Sequence, residues 1–114
     1  MREEKKYLVT SGFVLIYSPE VFSSGIINKK LKNEPDLVLH QYLKKNTILK
    51  IFNPENNKII EAKVIKNAKF PSIYRLVVSQ KIANSLSLKE TNRFVEIEEI
   101  KVNKKFVSKK AKTF

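Results

Sequence analysis

Two short runs of β-branched and apolar residues stand on either side of a polar break, and that pattern constrains the fold more than any other feature. The runs are Thr47–Asn53 (TILKIFN) and Lys58–Ile65 (KIIEAKVI), and the break is Pro54-Glu55-Asn56-Asn57. Proline presets one turn dihedral, and asparagine tolerates the left-handed region and bonds its own backbone. The unit therefore predicts a β-hairpin. A lone hairpin is marginal in water and needs more strands around it.

The chain supplies them. Tyr7–Thr10 and Gly12–Tyr17 read as two strands broken at Ser11-Gly12, and Ser18-Pro19 ends the second. Asp36–His40, Tyr74–Val78 and Phe94–Ile100 follow the same strand pattern. Phe22–Pro35 reads as a long polar loop with a short helical turn, and Lys66–Ser72 as a second loop. Ser79–Leu88 (SQKIANSLSL) is the one helix expected, with Ser79 as N-cap and Ile82, Ala83 and Leu86 on one face. Many short strands with frequent turns favour a small closed barrel over an open sheet.

Composition narrows the chemistry. The 114 residues suffice for one domain with a moderate core. The absence of cysteine excludes a disulfide framework, a thiolate metal site and a cysteine nucleophile. His40 is the only histidine, so a zinc site built from several histidines is excluded, and a Ser–His–Asp triad has one possible centre. No segment reaches the roughly eighteen apolar residues that a membrane span requires. Met1–Lys6 is charged and carries no apolar signal core.

The net charge is +12, but residues 102–114 alone contribute five lysines and no acid, whereas residues 7–101 carry +6. Only three of the basic residues are arginines, Arg2, Arg75 and Arg93. Readers of nucleic-acid bases lean on the arginine fork, so nucleic acid is not the expected partner.

Beyond the strand pattern, a series of partial motifs keeps one order and spacing. Gly12-Phe13-Val14-Leu15-Ile16-Tyr17 is followed by Phe22-Ser23-Ser24-Gly25, then His40-Gln41-Tyr42-Leu43-Lys44-Lys45-Asn46-Thr47. Asn53-Pro54-Glu55-Asn56-Asn57 comes next, then Lys63-Val64-Ile65-Lys66-Asn67-Ala68-Lys69-Phe70, then Arg75-Leu76-Val77-Val78-Ser79 with its helix. This series resembles the rare lipoprotein A (RlpA-like) family of the bacterial cell envelope. That family reads G-x-A-S-x-Y, F-x-G, H-x-x-L-P-F-G-T, N-x-x-N-G, V-N-D-R-G-P-F and R-I-I-D-L-S in the same order.

The resemblance implies a mainly β fold, a six-stranded double-psi β-barrel with one short helix. It places the barrel at residues 7–101, between a charged extension at 1–6 and a basic tail or linker at 102–114. It implies action on, or binding to, the glycan strands of peptidoglycan, without a cofactor. Active members are lytic transglycosylases that leave anhydro-muramyl ends. Further implied partners are divisome or envelope proteins. The implied setting is the periplasm, for a lipoprotein whose signal peptide and lipid anchor this chain lacks.

The departures fall on the chemistry. The family histidine corresponds to His40, but the family aspartate falls on Lys66, and the glycine and proline after it on Ala68 and Lys69. A lysine stays protonated near neutral pH and does not replace a carboxylate that cycles through both states. Asp36, Glu55 and Glu61 are the nearest acids in sequence, and none is an evident replacement.

The expected outcome is a catalytically degenerate domain. The expected ligand-binding residues are Lys44, Lys45, Lys69, Tyr42 and Phe22, with Tyr17, Phe70 and Tyr74 as further aromatic faces. Two other readings stay open: an active lytic transglycosylase with a rearranged acid/base group, and a basic barrel that binds nucleic acid or protein.

Overall fold

The computed structural model describes residues 5–32 and 35–101, with side chains described from Val9 to Ile100 apart from the 33–34 gap. The expected basic tail, and residues 1–4 of the expected charged extension, lie outside the described residues. Eight elements follow one another: β1 (Lys5–Ile16), α1 (Pro19–Ser23), β2 (Leu37–His40), β3 (Ile48–Asn53), β4 (Lys58–Asn67), β5 (Tyr74–Val78), α2 (Gln80–Ser85) and β6 (Phe94–Lys101). The six strands close into a barrel in the order β1-β5-β2-β4-β3-β6. Two contacts are parallel, β1 with β5 and β2 with β4, and the other four are antiparallel.

The hairpin is present as expected. β3 and β4 pair from Ile48↔Lys63 to Asn53↔Lys58. Its turn is held from both sides. Asn57 takes the left-handed conformation at φ 65°, and its N–H donates to the Asn53 carbonyl at 2.8 Å. Buried Asn53 uses its whole amide: its side-chain oxygen accepts from the Glu55 N–H, and its Nδ2 donates to the Leu86 carbonyl at 2.8 Å. The hairpin is thereby tied to the C-terminal end of α2.

Burial alternates along β3, with Leu49, Ile51 and Asn53 inward. Together with Val14, Val38, Val64, Leu76, Val95 and Ile97 they fill the barrel. α2 adds Ile82 and Leu86, both fully buried, to the same core. Ser79 caps this helix by accepting from the Ile82 N–H, while its hydroxyl donates to the Pro35 carbonyl at 2.7 Å.

Four expectations are corrected. First, β1 is one continuous strand rather than two broken at Ser11-Gly12. Gly12 serves close approach instead of a turn: a Cβ placed there would lie 2.5 Å from the Cγ of Arg75. Second, the described residues form two short helices rather than one. Ser18 caps α1 by accepting from the Val21 N–H, and Pro19 occupies its first turn.

Third, the Phe22–Pro35 segment is more than a polar loop. Its Ile27 and Leu31 are buried with Leu15, Tyr17, Leu39, Ala68, Phe70 and Val77 in a second core. That layer explains why Leu76, Val77 and Val78 are all buried in consecutive positions, since β5 is covered on both faces. Fourth, β4 continues through Lys66 and Asn67, so the following loop starts at Ala68.

The Asn53 link gives a stability test. Asn53→Ala removes two hydrogen bonds at a buried site and is expected to lower unfolding stability by about 1–3 kcal/mol in urea denaturation. A loss no larger than that of Ile59→Thr on the exposed wall would contradict this account of the hairpin.

Candidate functional site

The candidate site forms where β2 ends and β5 begins. β2 and β5 are antiparallel, so the C-terminal end of one lies beside the start of the other. A cleft of about 110 Å³ opens there, lined by Thr10, His40, Gln41, Tyr42, Ser72, Tyr74 and Arg75. It draws hydroxyl, amide, imidazole and guanidinium groups from β1, β2, β5 and two loops.

His40 is 5% exposed and is fixed on several sides. On the adjacent strand its backbone partner is Asn67, and its carbonyl accepts from the Ala68 N–H at 3.0 Å. The Asn67 side chain donates from Nδ2 to the carbonyls of His40 and Leu43, at 3.1 and 2.6 Å. The imidazole Nδ1 accepts from the backbone N–H groups of Tyr42 and Leu43, each at 3.1 Å. The Tyr42 ring meets the imidazole edge-on, with centroids 4.6 Å apart.

These contacts fix the tautomer. With Nδ1 accepting two N–H groups, the neutral ring carries its proton on Nε2. Burial removes water from the charged form and lowers the pKa of His40 to about 4. At neutral pH the ring is uncharged, and protonating Nδ1 would break both hydrogen bonds.

Among the described residues, no carboxylate lines the cleft. Asp36 pairs with Lys81 at 3.4 Å, and Glu55 with Lys89 at 3.5 Å in the hairpin turn. Glu61 is exposed on β4, opposite Lys50 on the outer wall. That wall carries a separate open groove lined by Val9, Lys50, Phe52, Ile59, Glu96, Ile97 and Glu98. None of these acids meets the imidazole.

The expected site residues divide. His40 and Tyr42 line the cleft, with Tyr42 68% exposed. Lys66 is exposed and sits opposite Leu39, so Asn67 rather than Lys66 stands across from His40. Lys44 and Lys45 are exposed in the turn after β2, and exposed Lys69 donates its backbone N–H to Asn28. None of these four lysines lines the cleft. Phe22 packs against the second core, with the Lys30 ammonium 5.4 Å from its ring centre. Of the further aromatics, Tyr17 and Phe70 are core residues, and Tyr74 lines the cleft.

Sequence reasoning missed Thr10, Gln41, Ser72 and Arg75 as cleft residues. The available signal was Gly12, whose missing side chain makes room for Arg75. Among the described residues there is no group of three or more metal-ligating side chains.

A closed six-stranded barrel with these two parallel and four antiparallel contacts is a double-psi β-barrel. It is similar to the crystal structure of the rationally designed apDPBB_sym_79 protein, with a TM-score of 0.57 and 10% identity over 82% of this chain and all of the designed one. At that identity the likeness is one of fold alone. No protein-family model and no curated protein matches the sequence.

The neutral histidine makes stability depend on pH. Below pH 6.5 an unfolded chain takes up a proton on His40 that the folded chain refuses until about pH 4. Stability from this group is therefore complete above pH 6.5 and falls as pH drops toward 4, by roughly 2–3 kcal/mol. In His40→Asn the side-chain oxygen accepts the same N–H groups without titrating, and urea midpoints across this window should lose that contribution. An unchanged acid slope in the variant would contradict the assignment.

Proposed function

We propose that this chain is an RlpA-like double-psi barrel domain that binds peptidoglycan glycan strands in the bacterial envelope without cutting them. The sequence resemblance supplies the family and the glycan. The observation that carries the non-cutting reading is the cleft itself, which among the described residues holds a neutral, buried His40 and no carboxylate.

Lytic cleavage protonates the leaving glycosidic oxygen and deprotonates the attacking sugar hydroxyl. Both tasks need a group whose pKa lies near the working pH. His40 has its Nδ1 committed to two backbone donors and stays neutral far below neutral pH. Lys66 is exposed and does not reach the cleft lining. Binding requires less. Tyr42 offers an exposed aromatic face for a sugar ring, and the cleft hydroxyls and amide offer hydrogen bonds. The same reading carries the periplasmic setting and contacts with divisome or envelope proteins.

The test uses denuded peptidoglycan at physiological salt. The protein should co-sediment with the glycan and release no anhydro-muramyl ends, and Lys66→Asp should remain inactive because its side chain lies outside the cleft. Anhydro-muramyl ends that disappear in His40→Ala would establish cleavage and overturn the reading. Equal retention of nucleic acid and glycan, both lost with added salt, would reduce the interaction to charge.

A further inference from the structure

Among the described residues the cleft contains one cation, and its placement is specific. Arg75 stands at the start of β5 and crosses over β1 at Gly12. Its Nε–H donates to the Ser11 carbonyl at 3.1 Å. A side chain at position 12 would occupy the space its stem fills, since the new Cβ would meet Cγ at 2.5 Å and Nε at 2.9 Å. One hydrogen bond and one absent side chain therefore orient the guanidinium. Its two terminal amino groups have no acceptor among the described residues.

The rest of the lining suits a small anion. Ser72 and Thr10 bring hydroxyls, Tyr42 and Tyr74 line the cleft beside them, and no carboxylate among the described residues competes. The volume, about 110 Å³, holds roughly three or four waters. That is too small for a whole ligand of sugar size, whose pockets begin near 300 Å³ by common experience. It is large enough for a single planar anionic substituent, the shape that a guanidinium fork matches through two parallel hydrogen bonds.

We propose that Arg75 holds a carboxylate carried by the sugar, with the ring lying outside the cleft against Tyr42. Naming the sugar rests on the glycan-binding reading above. In that setting the carboxylate is the lactyl acid of the muramyl residue, which its N-acetylglucosamine neighbour lacks. The cleft then distinguishes the two alternating sugars and sets the register of the strand.

The experiment titrates the full chain with N-acetylmuramic acid, N-acetylglucosamine and sodium acetate, following backbone amide shifts, and repeats denuded-glycan sedimentation. The wild type should prefer N-acetylmuramic acid by about tenfold, the scale of an exposed charge-assisted pair. Arg75→Gln should abolish that preference and Arg75→Lys should recover part of it. Gly12→Ala, which displaces the side chain while keeping its charge, should weaken it as well.

An unchanged preference in Arg75→Gln and Gly12→Ala would overturn this inference while leaving glycan binding intact. If the wild type binds no glycan, the glycan reading fails, and acetate decides the pocket. Acetate shifts around Thr10, Ser72 and Arg75 that vanish in Arg75→Gln support a carboxylate site, and their absence overturns it.

Discussion

The structure depends on two parallel strand contacts within an otherwise antiparallel barrel. Parallel neighbours cannot be joined by a tight hairpin, so the chain must cross over between them. The β1–β5 and β2–β4 ladders impose this twice. β2 thereby lies between β4, which it meets in parallel, and β5, which it meets antiparallel. The end of β2 is consequently surrounded by backbone from three directions, and that is where His40 falls. Its carbonyl and its ring nitrogen are both consumed by neighbouring donors. The same crossing places Arg75 and Ser72 in one cleft with the imidazole.

Much of the framework was legible in the sequence because it rests on local chemistry. The β3–β4 hairpin announces itself through the turn at Pro54–Asn57, and α2 through Ser79 and the spacing of Ile82, Ala83 and Leu86. A closed barrel follows from the many short runs with frequent turns, and the count of six strands from the family resemblance. Tertiary context overrides the local signal at three places. Gly12 looked like a break, yet it sits within a strand to let a remote arginine pass. Phe22–Pro35 reads as a polar loop, yet its Ile27 and Leu31 pack against Val77 of β5. α1 has only five residues, too few for a visible helical period.

The site was half legible for the same reason. His40 was singled out by being the only histidine, and Tyr42 as an aromatic face for a sugar ring. Lys66 stood out as the residue on the family's aspartate, and Lys44, Lys45 and Lys69 as neighbours in the loops beside it, but charge is most cheaply placed in solvent, and all four are exposed. Thr10, Ser72 and Arg75 come from segments far apart in the chain and carry no shared motif. The β2–β4 register also moves by one residue between Val38 and Leu39, which sets Asn67 rather than Lys66 against His40. A strand shift of that kind cannot be read from motif spacing.

These elements combine into one account, in which the cleft keeps its histidine as a structural, uncharged acceptor. Its central claim is the protonation state of His40. A titration of the imidazole carbon and nitrogen resonances by nuclear magnetic resonance measures that state directly. The account predicts a neutral ring protonated on Nε2 and a midpoint of about 4. A midpoint near 6.5, or a ring protonated on Nδ1 at neutral pH, would contradict it.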